Sequence, residues 1–133
     1  MDSERLDTGF EIIDGEHRVQ IELVTALRQA LSEGRPKEEV GEILSQLVNY
    51  TDVHFMAEQL LMRKTDYPGQ PAHVMEHDRL IDQVRELQRL YQAGELALTL
   101  ENADWLRRWL LKHIQSSDYA LSRYLQRHYQ PTI

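Results

Sequence analysis

No cysteine occurs in the 133 residues, which removes disulfides, thiolate zinc sites, iron–sulfur clusters and cysteine nucleophiles together. Any metal must be held by nitrogen and oxygen. The chain also lacks a run of eighteen apolar residues. Its opening stretch MDSERLDTGF has acidic residues where a secretory leader has its apolar region, so neither membrane insertion nor export is signalled and a cytoplasmic protein is expected. Positive charge is in deficit. A formal net charge of −7 argues against nucleic acid as a partner, although Arg107, Arg108, Lys112, Arg123 and Arg127 make the last quarter locally basic; a solvated helix face accounts for those five. Internal repeats, low-complexity tracts and linkers are missing too. With 41% hydrophobic residues, one domain over 1–133 is expected, large enough to bury a core.

Strict alternation of apolar and polar residues is absent as well, while apolar positions recur at three- and four-residue steps through four segments, so the fold reads as all-α. The first helix should open near Asp14 as N-cap, run through Ile21, Val24, Leu27 and Leu31, and stop at Gly34. Pro36 can start the second, whose stripe is Val40, Leu44, Leu47, Thr51, His54, Glu58 and Leu61, and DYPGQP ends it. Pro71 suits the first position of a third helix presenting His73, His77, Leu80, Val84, Leu87 and Tyr91 up to Gly94. The fourth starts near Thr99 and presents Leu106, Trp109 and His113, followed by a short helical tail, DYALSRYLQRHY. Short connections favour antiparallel neighbours, giving an up-down-up-down four-helix bundle with an N-terminal extended arm and a short C-terminal helix.

In that topology the start of the first helix, the end of the second, the start of the third and the end of the fourth share one end of the bundle. His17, His54 with Glu58, His73 with His77, and His113 occupy those four places. Five of the six histidines therefore converge at one level. Singly, an inward histidine is usually a hydrogen-bonded core residue, and a His–Glu pair at i and i+4 is often a helix-surface contact. Together, five imidazoles and two carboxylates would be costly to bury unpaired, and a metal centre is the economical explanation. Asp118 completes the set on one condition. It lies five residues after His113, about 140° around an ideal helix, so it turns inward only if the helix bulges or ends there.

Seven ligands exceed a tetrahedral zinc site, and imidazole with carboxylate and no sulfur suits iron ahead of manganese or zinc. A dinuclear site follows. With both carboxylates bridging, the seven side chains fill nine of the twelve positions of two octahedral ions; an oxo or hydroxo bridge takes two more, and one stays open for a small molecule.

The series His17, HFMAE (54–58), HVMEH (73–77) and HIQSSD (113–118), with LDTGFEIIDGEH leading in and YPGQPAH between helices, resembles the bacterial hemerythrins from about Leu6 to Tyr124. That resemblance implies a non-haem di-iron protein that binds O₂ reversibly. It further implies that His73, His77 and His113 hold the coordinatively filled iron, that His17 and His54 hold the iron with the vacancy, and that Glu58 and Asp118 bridge the two.

The donor set favours a carrier over an oxidase, hence no enzyme. Ferritin-like di-iron enzymes use four carboxylates, which neutralise two ferrous ions, whereas two carboxylates leave two positive charges and disfavour high-valent iron. Phe55, Trp109, Leu110 and Ile114 are candidate walls of the O₂ pocket and equally candidate core. Gln20 stands where the family usually has an aliphatic residue. It either turns to solvent or brings polarity to the open iron and hastens oxidation. Glu16, where Gln is common, and Ser3, near where a Trp often stands, are smaller departures. His128 is expected on the surface. A chain that begins just before the first helix and ends just after the bundle suggests carriage or storage of O₂. The alternative is an O₂- or redox-sensing module with a signalling or redox partner protein.

Overall fold

The computed structural model describes residues 7–129, which form helices joined by short turns, with no strand among them. Ser3 lies outside the described residues. In order come α1 (Glu11–Ser32), α2 (Lys37–Lys64), α3 (Gln70–Gln92), α4 (Leu100–His113), a π-helical turn at Ile114–Asp118, and α5 (Tyr119–His128). No helix among the described residues is long and apolar enough to cross a membrane.

Each boundary has a local cause. Gly34 and Gly94 adopt left-handed φ of 65° and 75°, and the hydrogen bonds from Arg35 N to Ala30 O and from Glu95 N to Leu90 O close a Schellman turn behind α1 and α3. Asp66, at φ 52°, takes the same role behind α2 without being glycine; the bond from Tyr67 N to Met62 O holds it there. Arg63 and Lys64 in the last turn of α2 complement its carbonyl end. Thr99 caps α4 through a reciprocal box: its hydroxyl accepts from Asn102 N at 3.2 Å, and Asn102 Oδ1 accepts from Thr99 N at 3.0 Å.

Three starts differ from the sequence expectation, the simplest at α2, which begins at Lys37 with Pro36 as its N-cap. Helix α1 begins at Glu11, so Asp14 is inside its first turn and is not the N-cap. Its carboxylate instead reaches back to the arm, accepting from Thr8 N at 2.8 Å, Thr8 Oγ1 at 2.6 Å and Gly9 N at 3.2 Å. Gly9 sits at φ 95°, so the arm needs glycine for its conformation, and the end of the Gln126 side chain of α5 lies over it. Helix α3 begins at Gln70, which places Pro71 second; it still costs no hydrogen bond, because first-turn amides have no intrahelical acceptor.

Helix α1 packs on α2 and α4, and α2 packs on α3, while α3 and α4 stand further apart. Two apolar cores result. The larger contains Val24, Leu27, Leu44, Leu47, Leu80, Val84 and Leu106, and the smaller Ile13, Met62, Leu121 and Leu125. Between them lies a band of buried polar side chains that belongs to neither.

Replacing Thr99 with Ala should lower unfolding free energy by about 1 kcal/mol, read as a shifted denaturant midpoint at unchanged slope.

Candidate metal centre

The polar band consists of the seven side chains singled out in the sequence. His17 comes from α1, His54 and Glu58 from α2, His73 and His77 from α3, and His113 from the last turn of α4; all are buried. Asp118 joins them through the π turn. Widening the helix over Ile114–Asp118 carries it around to the interior, where it is 1% exposed. Within the same turn Ser116 Oγ donates to Lys112 O at 2.6 Å, a local acceptor where the backbone pattern changes.

The donor atoms sort into two groups because each carboxylate is divided. Glu58 Oε1 lies 3.1 Å from His73 Nε2 and 3.0 Å from His77 Nε2, and Asp118 Oδ1 lies 3.0 Å from both His73 Nε2 and His113 Nε2. On the other side, Glu58 Oε2 is 3.2 Å from His54 Nε2 and 3.9 Å from His17 Nε2, and Asp118 Oδ2 is 2.7 Å from His17 Nε2. Glu58, His73, His77, His113 and Asp118 thus form a five-donor group, and His17, His54, Glu58 and Asp118 a four-donor group.

These spacings suit shared metal ions as well as hydrogen bonds. Donors about 2.1 Å from a common ion at right angles stand roughly 3 Å apart, which is the spacing found in the five-donor group. His77 Nε2 faces His113 Nε2 at 3.1 Å, two ring nitrogens that need either a proton or a cation between them. Buried side-chain atoms left without a partner include His54 Nε2, Glu58 Oε2 and Asp118 Oδ1, all aimed into the cluster.

Outside the cluster, some imidazoles have a second carboxylate. His54 Nδ1 is 2.6 Å from Glu16 Oε1, and His113 Nδ1 is 2.8 Å from Glu76 Oε1, while Glu76 Oε2 accepts from Ser117 Oγ at 2.7 Å. Each donor group therefore has one imidazole oriented by an anion, the arrangement that fixes ring tautomer and strengthens a metal ligand. Sequence reading missed Glu76 and Ser117. The signal was available in HVMEH, where a carboxylate stands beside a ligand-spaced histidine pair. Glu16 was noticed only as a departure.

Of the candidate pocket residues, Gln20 is resolved most clearly. It is 1% exposed and donates to Thr51 Oγ1 at 3.2 Å, one turn from His17 and His54, so it faces the interior at the four-donor group and does not turn to solvent. It replaces Ile21 on the expected stripe; the amide is tolerated inside because Thr51 supplies an acceptor. Phe55 stacks on His77 with ring centroids 3.7 Å apart, and Ile114 is buried. Leu110 lines, with Thr51, Leu47 and Leu106, a small apolar cavity of about 10 Å³. Trp109 differs: it stacks at 4.8 Å on His113 and lines an outer cleft, so it touches the five-donor group and not the four-donor one. His128 is exposed and stacks on Tyr124 at 4.0 Å.

Without metal, protons hold the cluster together. Burial alone would lower the His54 pKa, but the Glu58 charge and the hydrogen bond that His54 Nδ1 donates to Glu16 outweigh it and raise it to about 10. His113 follows the same pattern, lowered by burial and raised more by Asp118 and Glu76, again to about 10. Burial and mutual repulsion would raise the carboxylates of Glu58 and Asp118, yet the surrounding imidazoles hold both below their ordinary values. Glu76 is held down to about 2, first by its bond with His113.

Compared with known proteins, the chain is matched over residues 8–125 by the family model described as the hemerythrin HHE cation binding domain. It is 35% identical over 123 residues to a bacteriohemerythrin of Stenotrophomonas maltophilia (strain R551-3), covering 92% of this chain and 79% of that one. A hemerythrin subunit 2 of Golfingia vulgaris is 27% identical over 83% of this chain and 79% of its own. A crystal structure described as wild-type hemerythrin superposes with a TM-score of 0.88 at 28% identity, covering 94% of this chain and 95% of that chain.

Two outcomes are expected of the metal-free protein. The stabilisation from His54 and His113 should be complete below the unfolded value of 6.5 and disappear as pH rises through about 10; that from Glu58 and Asp118 should disappear as pH falls below their unfolded values of 4.5 and 3.8. Thermal melts should therefore decline on both sides of a mildly acidic optimum, and adding a divalent metal at neutral pH should release protons detectable with an indicator dye. Glu76→Ala should weaken metal affinity by about 10–100-fold, measured by chelator competition.

Proposed function

The chain belongs to the hemerythrin family, and from that premise we propose that it binds dioxygen reversibly, as a carrier or store, at a non-haem di-iron centre held by His17, His54, Glu58, His73, His77, His113 and Asp118. The observation that carries this reading is the unequal division of donors around two shared carboxylates, five on one side and four on the other. Two ions held by these groups would share Glu58 and Asp118, and the four-donor side would have fewer protein ligands and more room for a small molecule. Dioxygen is assigned to that side.

Iron held by these seven residues would supply the electrons that reversible dioxygen binding requires. The protein's contribution is enclosure and restraint. Phe55, Leu110 and Ile114 keep water from the buried donors, and the neighbouring apolar cavity of about 10 Å³ is an internal space next to Thr51. Only two carboxylates neutralise the ions, which leaves a net positive centre poorly suited to high-valent iron and supports binding over oxygen activation. Gln20 is the chain's own modulation. Its amide, held by Thr51, brings a polar group to the four-donor side, where it would favour oxidation of iron held there.

Anaerobic loading with ferrous iron should give a nearly colourless protein that gains visible absorption in air and loses it again when oxygen is withdrawn. Failure to take up two irons per chain, or oxygen consumption that continues with an added reductant and substrate, would contradict the proposal. Gln20→Leu should slow conversion of the oxygenated form to the ferric form, followed at fixed pH and temperature by the decay of its visible band.

A further inference from the structure

Helix α2 carries a second stripe that neither the core nor the metal centre uses. Its buried side presents Leu44, Leu47, Thr51, His54 and Glu58; on the opposite side, at alternating steps of three and four residues, stand Gln46, Asn49, Val53, Met56 and Leu60, all exposed. Val53 and Met56 keep 62% and 61% of their surface in solvent. Alternating steps of three and four form the seam that one helix offers to another. The remaining exposed large apolar side chains, such as Met75 and Leu100, come no more than two to a helix among the described residues, which is ordinary for a surface. Beside the stripe runs a shallow groove of about 460 Å³ between α1 and α2, lined by Leu23, Gln46, Asn49, Tyr50 and Val53.

What covers this face follows from the order of charge along it. The stripe opens on exposed Glu38 and Glu42, is neutral through Leu60, and closes on exposed Arg63 and Lys64. Lys37, near the acidic end, turns away over the Tyr91 ring. A face that reads acid, neutral, base is complementary to a reversed copy of itself. With a two-fold axis at Val53, the Val53 side chains of two copies meet, Leu60 lies opposite Gln46 at the groove beside Tyr50, and Lys64 lies opposite Glu42. The helix dipoles then oppose one another, which is also favourable. Parallel pairing would instead set acid on acid and base on base. On a chain of net charge −7, two copies repel one another in general, and this face replaces that repulsion with attraction.

We infer that two copies of this chain pair through the outer face of α2, antiparallel, with Val53, Met56 and Leu60 at the centre of the contact and Glu42 and Lys64 fixing its register. The inference does not depend on what the metal centre binds. From Glu42 to Lys64 the contact is about six turns long, at the low end of interfaces that hold two chains together. The dimer is therefore in equilibrium with the monomer, and its share rises with concentration and falls with salt. Because His54 and Glu58 occupy the inner side of the same turns, pairing sets the two donor clusters back to back across the contact.

The test is made on the whole, metal-loaded protein. In sedimentation equilibrium from micromolar to millimolar concentration, the average mass should rise from that of one chain toward that of two. Met56→Glu/Leu60→Glu should abolish the rise while leaving helical content and melting temperature in place. Glu42→Lys alone, and Arg63→Glu/Lys64→Glu alone, should each weaken association by about tenfold, and combining all three should restore it, a rescue that requires opposed copies of the same helix. Register is read with cysteine, which the chain otherwise lacks. Val53→Cys should oxidise to a covalent dimer about tenfold faster than Leu60→Cys, whereas a mixture of Leu60→Cys with Gln46→Cys should cross-link readily. A chain that stays monomeric at millimolar concentration would overturn the pairing and leave the stripe to a different occupant. Faster self-linking of Leu60→Cys than of Val53→Cys, or charge reversals that fail to rescue one another, would overturn the antiparallel arrangement.

Discussion

The structure depends on the sharing of two buried carboxylates. Glu58 and Asp118 each present one oxygen to the histidines of α3 and α4 and the other to those of α1 and α2. That division ties all four helices to one point. It also sets a charge problem that the apolar surroundings cannot solve, since two anions and five imidazoles inside a bundle need a counterion, protons or metal. The cluster is therefore the most specific feature of the fold and also the one that least favours folding of the bare chain.

The two apolar cores are placed to bear that cost. One fills the bundle beyond the centre and the other closes it beneath the arm, the α2–α3 turn and α5. Water is kept out on both sides, which strengthens every interaction between donors and whatever cation they hold. Around the rim, Glu16 and Glu76 reach in from partly exposed positions to the outward nitrogens of His54 and His113. The centre is thus sealed against solvent but connected electrically to the surface at two places, one on each donor group.

Much of this was legible in the sequence because helical periodicity and topology together fix which residues share a level. The ligand-spaced pairs His54–Glu58 and His73–His77 lie in regular helix, so their placement follows from the pattern alone. Asp118 required an irregularity, and its five-residue distance from His113 forecast one; the π turn is that irregularity. What sequence could not fix was decided by pairwise contacts between distant segments. Whether Gln20 faced in or out depended on Thr51, thirty-one residues away, and Trp109 versus Leu110 as the inward residue of α4 depended on how far α3 stands from α4. Asp14 resembles an N-cap in isolation, and only the returning arm at Thr8 and Gly9 shows its other use. Glu76 reads as an ordinary surface acid until His113 and Ser117 come to it from another helix.

The π turn also has an architectural consequence. Because α5 continues directly from it, the single widened turn sets the rotational phase of everything downstream as well as the direction of Asp118. Restoring ordinary winding over 114–118 at the present chain length would turn Asp118 and α5 by about 100°, withdrawing Leu121 and Leu125 from the lower core together with the shared carboxylate, whereas deleting one residue as well would set the aspartate four residues after His113 and keep the phase. The widened turn and the extra residue are therefore matched to one another, and losing the first while keeping the second is penalised twice, by lost ligation and by lost packing.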